Sequence, residues 1–421
     1  IISILALLLL RFAGMSRVCR EEQAPYCAPS FYAYQATTKF ADNPAYALSG
    51  PATNSPYALA AAYLFAFAMA DILRRILKPS HAHLSSASTL LTWIIRPALL
   101  GSSGFWLADW VHGLEQLDEA TRSTFLVIKI WTARAVLFLL VAGAWYWYLS
   151  PLSLSVLREP TQKRDAPPKV ALLGFGNTFG AAFLLFTSLA FSLLFLLSQP
   201  MGQLALSACF VAMVLIAELG DYERDARLLA ASKMPNAKDL SASPSHAPSL
   251  LEIVCIGLLG FVAFFSTGHQ ATFTAIQWRV AFVGFPVVTY PWSPLFVVLN
   301  AFGPLSILPA FGVVLLTLWN VAPTRAKVQQ EETGHVRPMR LPGDILRSAL
   351  GLLLYVGVLT WSAALWAWFF RRHLMLFKIW VPRYMMAGLG LLITDVALLG
   401  AVAVAWWIAA RTAKAFGTLY T

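Results

Sequence analysis

Residues 181–219 read AAFLLFTSLAFSLLFLLSQPMGQLALSACFVAMVLIAEL. No Asp, Glu, Lys or Arg occurs in that run before Glu218. The apolar character breaks only around Gln199, Pro200 and Met201. A helix needs about 20 predominantly apolar residues to cross a hydrocarbon layer about 30 Å thick. The stretch therefore reads as two membrane-crossing helices joined by a short turn. Working outward, the pattern recurs along the chain of 421 residues, with apolar segments at about 1–13, 57–77, 88–108, 125–149, 170–197, 202–219, 250–267, 292–319, 345–370 and 384–410. The composition agrees, with 58% hydrophobic and 12% charged residues, against about 25% charged in an ordinary soluble domain. The expected fold is all-α, a polytopic transmembrane helical bundle of about ten segments in a single domain, 1–421. The chain opens at Ile1 inside an apolar run, which reads as the end of a longer helix, so preceding residues are expected.

The net charge of +11 belongs with this architecture. Lys and Arg gather in cytoplasmic loops and hold a membrane protein's orientation. If the helices alternate, loops 71–83, 150–169, 219–249 and 320–344 and the tail 411–421 hold 17 basic residues, and the other side holds 9. The first set is expected in the cytoplasm, with the C-terminus, and the second in the lumen or exterior. There is no basic stripe, RGG run or nucleic-acid module, so nucleic acid is not an expected partner. Segments 150–169, 219–249 and 320–344 read as cytoplasmic linkers; the first two are rich in Pro, Ser and charge. Cys19 and Cys27, in VCREEQAPYC, lie in the first non-cytoplasmic loop, where an oxidising compartment would let them close a small disulfide loop; two free thiols are the alternative.

Charged residues inside a span are costly and draw attention to function. Arg96 lies mid-span before a kinking Pro97, and Asp395 lies mid-span in LGLLITDVALLG. They are expected to be structural and are candidates to pair with each other across helices. Lys129 is expected to snorkel, and Arg134 to face the bundle interior. Gly176 and Gly180, four apart, suit close helix packing.

Two segments depart from the apolar pattern on the non-cytoplasmic side. The first, 264–285, reads FFSTGHQATFTAIQWRVAFVGF. Gly268 suits a helix C-cap. The residues after it read as a re-entrant or interfacial helix, with Trp278 at the interface. The second, RRHLMLFKIWVPR at 371–383, holds four of that side's nine basic residues. Arg371, Arg372, Lys378 and Arg383 at a membrane surface suit phosphate, which Arg binds bidentately; generic contact with lipid headgroups is the alternative. No HExxH, Walker loop, GxSxG or clustered Asp/His set occurs. On its own residues the chain carries no catalytic or metal-binding centre.

STGHQATFTAIQWRVAFVGF (266–285) resembles a signature of the GPI ethanolamine phosphate transferase 3 family, the PIG-O type. RRHLMLFKIWVPRYM (371–385) resembles that family's segment before its last helix. CREEQAPYC (19–27) and LLTWIIRPALLGSSGFWLADW (90–110) resemble two further segments, in the family's order. The resemblance runs from residue 19 to about 410. It implies an endoplasmic-reticulum membrane enzyme that moves phosphoethanolamine from phosphatidylethanolamine to the third mannose of a GPI-anchor precursor in the lumen. It also implies an upstream alkaline-phosphatase-like catalytic domain with a Thr nucleophile and zinc, none of which can be carried onto these residues. A small hydrophobic PIG-F-type subunit is the implied protein partner. On this reading 268–291 and 371–383 are lumenal functional loops. His269, Gln270, Gln277 and Trp278 would shape a substrate groove, and Arg371, Arg372, His373 and Lys378 would hold donor or acceptor phosphate beside it. A noncatalytic scaffold or partner-binding subunit, or a transporter using Arg96 and Asp395, is the alternative.

Overall fold

The computed structural model describes residues 2–15, 56–114, 117–159, 169–232, 247–269, 276–323, 341–373 and 376–419. Their chains form ten helices: α1 (Ile2–Met15), α2 (Pro56–Leu77), α3 (Ser86–His112), α4 (Glu119–Leu149), α5 (Thr178–Leu197), α6 (Pro200–Ser232), α7 (Leu250–Ser266), α8 (Trp292–Leu318), α9 (Leu341–Phe369) and α10 (Val381–Leu419). Seven of them, α3–α6 and α8–α10, are long and apolar enough to cross a membrane, and α1 and α7 are shorter apolar helices. The protein is an all-α polytopic bundle. One β-hairpin, β1 (Ser155–Glu159) against β2 (Lys169–Leu173), interrupts it and pairs Val156 with Leu172. The 150–169 stretch is thus bounded by strands that its polar composition concealed.

Helices α5, α6 and α8 form the centre. Most of each spanning window is buried, whereas α4, α9 and α10 turn most of their surface outward. A helix apolar all round belongs in a core or in lipid, and α5 shows the first case, with Phe179, Phe183, Phe191 and Phe195 all buried. Gly180 makes this packing possible: an added Cβ would lie 2.8 Å from the Leu318 carbonyl oxygen and 3.0 Å from the Trp319 Cα. Gly176 packs against nothing within 4 Å, so only one of the two glycines serves the close approach.

Prolines mark the irregularities. A π-turn at Leu91–Ile95 precedes Pro97, another at Gly303–Ile307 contains Pro304, and a third at Leu376–Trp380 precedes Pro382. Proline has no N–H for the i−4 carbonyl, and a wider turn relieves the clash of its ring. Helix starts follow side-chain capping. Asp118 accepts from the Thr121 N–H at the start of α4. At α7, Ser249 and Glu252 exchange side-chain and backbone hydrogen bonds in a capping box.

Successive helices alternate in direction, giving the bundle two ends. One carries Glu218, Asp221, Asn320 and the β-hairpin. The other carries His269, the 276–291 segment and the turn between α9 and α10. Helix α6 continues unbroken to Ser232, so the first part of the expected 219–249 linker is helix. Cys209 is buried in the core, while Cys255 is exposed on α7. Cys19 and Cys27 lie outside the described residues.

Candidate functional site

Helix α7 ends in a Schellman turn that is legible in its sequence. The Gly268 N–H donates to Phe265 O (3.2 Å) and the His269 N–H to Phe264 O (3.2 Å). Gly268 adopts φ +85°, a conformation open to glycine without a Cβ penalty. The motif's usual side-chain contact is present: the His269 ring stacks on Phe264, with centroids 5.3 Å apart. His269 is therefore folded back over the helix end and buried, at 4% exposure.

The surrounding hydrogen bonds settle its protonation. The Thr267 hydroxyl lies 2.8 Å from Ala263 O and 3.0 Å from Phe264 O and donates there. Having given up its one proton, it accepts from His269 Nδ1, 2.9 Å away. His269 is then the Nδ1–H tautomer, and its Nε2 is a bare acceptor, buried without a partner among the described residues. Burial pushes the imidazole pKa down to about 4, so the ring is neutral across the physiological range.

Gln277 ties this helix end to α8. Its Nε2 donates to Thr267 O at 2.8 Å, and its Oε1 accepts from Asn300 Nδ2 at 3.2 Å. Asn300 is itself buried, and its Oδ1 also lacks a partner. Thr267 and Asn300 were not singled out by sequence reasoning. The available signal was Asn300, a polar residue one turn before Pro304 in an otherwise apolar span. Trp278 is exposed and opens a short 3-10 turn, Trp278–Phe282. Of the expected re-entrant or interfacial helix, residues 270–275, including Gln270, lie outside the described residues, and 278–282 takes the tighter 3-10 turn. Val280, Ala281 and Val283 are buried beneath it.

Charges on α3 and α4 clamp the same segment. Asp109 accepts from Lys129 at 2.8 Å and lies 3.6 Å from Arg279. Lys129 therefore does not snorkel, because a carboxylate stands beside it and the pair is largely buried. Arg134 is exposed, not turned into the bundle interior as expected: its Nε donates to Gly284 O at 2.9 Å and its guanidinium lies over the Trp131 and Phe285 rings. Arg96 corrects a further expectation. Its partner is Asp71 of α2, at 2.5 Å, with Arg74 on the same carboxylate. Asp395 is not its partner; that Oδ1 is buried without a hydrogen bond among the described residues.

The turn between α9 and α10 is built on aromatic stacking. Trp380 lies parallel to Phe370 at 4.8 Å and to Trp366 at 5.8 Å. Arg371 sits over Trp368 at 4.8 Å and Arg383 over Trp380 at 5.6 Å. Arg371, Arg372, His373 and Arg383 are exposed, and Lys378 lies in the π-turn Leu376–Trp380. Phe264 of α7 and Met386 of α10 share one buried cluster with Ala301 and Phe302. The cationic turn and the His269–Thr267–Gln277–Asn300 cluster thus stand at the same end of the bundle.

A protein named GPI ethanolamine phosphate transferase 3 from Eremothecium gossypii is 28% identical to this chain over 398 residues, 94% of the chain and 34% of the relative. The one of the same name from Saccharomyces cerevisiae is 27% identical over 390 residues, 91% of the chain and 33% of the relative. Over most of its length the chain is therefore similar to proteins named GPI ethanolamine phosphate transferase 3. The human relative, GPI ethanolamine phosphate transferase 3, catalytic subunit, is 28% identical over 285 residues, 61% of the chain and 25% of the relative. The chain spans about a third of the length of the two fungal relatives. No family model matches it, and no solved structure does. Among the described residues no three His, Cys, Asp or Glu side chains gather where they could hold a metal ion.

Proposed function

We propose that this chain is the membrane part of an endoplasmic-reticulum phosphotransferase that moves phosphoethanolamine from phosphatidylethanolamine to the third mannose of a GPI-anchor precursor. Its task is to bind and position the two lipid substrates. The observation that carries the reading is the shared end of the bundle. The exposed Arg371, Arg372 and His373 stand there with the buried polar cluster around His269, linked through Phe264 and Met386. Exposed guanidinium groups beside a membrane-spanning bundle suit lipid phosphate. On this reading that end faces the lumen and the C-terminus is cytoplasmic. The nucleophile and zinc belong to the protein's own upstream catalytic domain, and a small hydrophobic PIG-F-type subunit is the partner.

Within this frame His269 is a positioning residue. It is neutral and buried, and its one free nitrogen is an acceptor that cannot reach a reacting group in water. Gln277 fixes the distance between the end of α7 and α8. Of His269, Gln277 and Trp278, Trp278 is the exposed one and the one able to meet a substrate directly.

The test is Arg371→Ala with Arg372→Ala in the full-length enzyme, with its membrane level checked. Charge-assisted hydrogen bonds contribute about 1.5–3 kcal/mol each, so transfer is expected to fall at least about tenfold at subsaturating lipid. Unchanged transfer would remove the phosphate role from the turn and leave the scaffold reading in its place.

A further inference from the structure

A groove of about 120 Å³ runs between α7, α8, α9 and α10, walled by Phe261, Phe265, Leu305, Tyr355 and Gly390, with Arg383 at one end. Its Ser and Thr hydroxyls are committed to backbone carbonyls. Ser306 donates to Gly390 O at 3.2 Å, Thr394 to Gly390 O at 2.7 Å, and Thr360 to Val356 O at 3.0 Å and Ala387 O at 3.2 Å. The Ser and Thr side chains of the walls are thus turned into helix backbone, which leaves the Tyr355 hydroxyl and Arg383 as the other polar groups of the lining. The one charged side chain of the lining is Arg383, which is exposed and has no carboxylate partner among the described residues.

We propose that this groove seats one acyl chain of a membrane phospholipid, with the lipid's phosphate at Arg383. Dimensions and charge choose the occupant together. Along α10 the lining runs from Arg383 to Thr394, about 16 Å at 1.5 Å per residue. That is roughly half of a hydrocarbon layer about 30 Å thick, the depth of a single leaflet. An apolar slot of that depth, open at the helix surface, is filled by the solvent around it, which here is lipid. A cation at the headgroup end and none deeper selects a lipid carrying a phosphate, and Arg can grip that group with two parallel hydrogen bonds.

Glycine keeps the slot open. At Gly390 an added Cβ would meet only the Leu305 Cδ2, at 3.6 Å, so a larger side chain there enters the groove instead of the packed wall. Gly257, by contrast, is pressed against Tyr355, whose ring carbon would lie 2.3 Å from a Cβ; it holds α7 against α9 and so fixes the groove's width. Identifying the seated lipid as a transfer substrate rests on the function proposed above; the seat is tested apart from it.

The full-length protein is labelled in native membranes with a diazirine-tailed, clickable phosphatidylethanolamine and with the matching diacylglycerol, and the cross-links are mapped by peptide mass spectrometry. The phospholipid probe is expected to mark peptides spanning 257–265 and 383–394 above other lipid-facing helices. Gly390→Leu is expected to cut that labelling at least about fivefold, and Gly390→Ala, which should fold normally, to cut it partly. Arg383→Gln should lower phospholipid labelling and leave diacylglycerol labelling unchanged. Labelling spread evenly over the lipid-facing surface, or undiminished in both Gly390 variants, overturns the seat whatever the transfer activity. Labelling lost while transfer persists establishes the seat and removes its substrate role.

Discussion

The two ends of the bundle use polar side chains differently. At the Glu218 end they fasten helices. The Trp319 Nε1 donates to Glu218 at 2.5 Å, Asn320 Nδ2 to Asp221 at 2.6 Å, and the Asn320 N–H to Asn177 at 3.0 Å. Each bond joins different helices or their connecting turns, and each ends on a carboxylate or amide oxygen. At the His269 end the ties are just as local, but they stop short. Among the described residues His269 Nε2 and Asn300 Oδ1 remain buried acceptors without partners, while the arginines of the neighbouring turn stand exposed. A buried polar atom left unpaired costs about 1–3 kcal/mol. Structures retain such costs where something other than stability is served. On the proposed function, one end fastens and the other is the working face.

Substitutions can break or sharpen this contrast. The largest effect is expected at Trp319→Ala, which empties a fully buried site and strips Glu218 of its donor. Large-to-small core changes of this kind cost about 3–5 kcal/mol, read as a lower thermal midpoint in detergent, with transfer per folded molecule retained. A greater loss of transfer than of stability would contradict the fastening role.

The next effect is a pH dependence. The His269 pKa is lowered to about 4 in the folded protein, from about 6.5 when unfolded. As pH falls from about 6.5 toward 4 the unfolded state takes up the proton first, so stability declines over that window and is complete above it. The decline reaches about 3 kcal/mol at most. In His269→Gln that acid-side fall in the thermal midpoint should vanish. A fall identical to the wild type's would place the titration elsewhere.

Gln277→Ala breaks the bridge from Thr267 O to Asn300 and is expected to cost about 1–3 kcal/mol. Amide exchange should quicken at the end of α7 and the start of α8, with α5 unaffected. The smallest effect belongs to Asp71→Asn. Its pairs with Arg74 and Arg96 are partly exposed, and such pairs contribute about 0–1 kcal/mol. A cost above about 2 kcal/mol would mean that Arg96 depends on this carboxylate far more than its exposure indicates.

Legibility in the sequence followed the range of the interaction. Apolar run lengths located the helices, since a span is a local property of the chain. Gly268 announced the end of α7 for the same reason. The partner of Arg96 could not be read, because two mid-span charges look complementary in sequence while contact is decided by which helices are neighbours. Lys129 misled in the same manner, its carboxylate lying on another helix. Asn300 was hidden by the apolar run around it, where composition outweighed one amide. The groove had no signal at all: small residues and ordinary Phe, Leu and Tyr on four helices make it, and only packing brings them together. The resemblance pointed to both segments of the working face but not to the tie between them.

The stacked rings at the α9–α10 turn carry one more consequence. Trp366, Phe370 and Trp380 form a rigid parallel block, and Arg371 and Arg383 lie flat over rings in the same turn. Long cationic side chains normally lose about 2 kcal/mol of rotamer freedom when a ligand fixes them. Here much of that ordering is already complete in the free protein. The turn is preorganised, so an anionic headgroup arriving there meets charges held in place, and little of its binding energy is spent on arranging them.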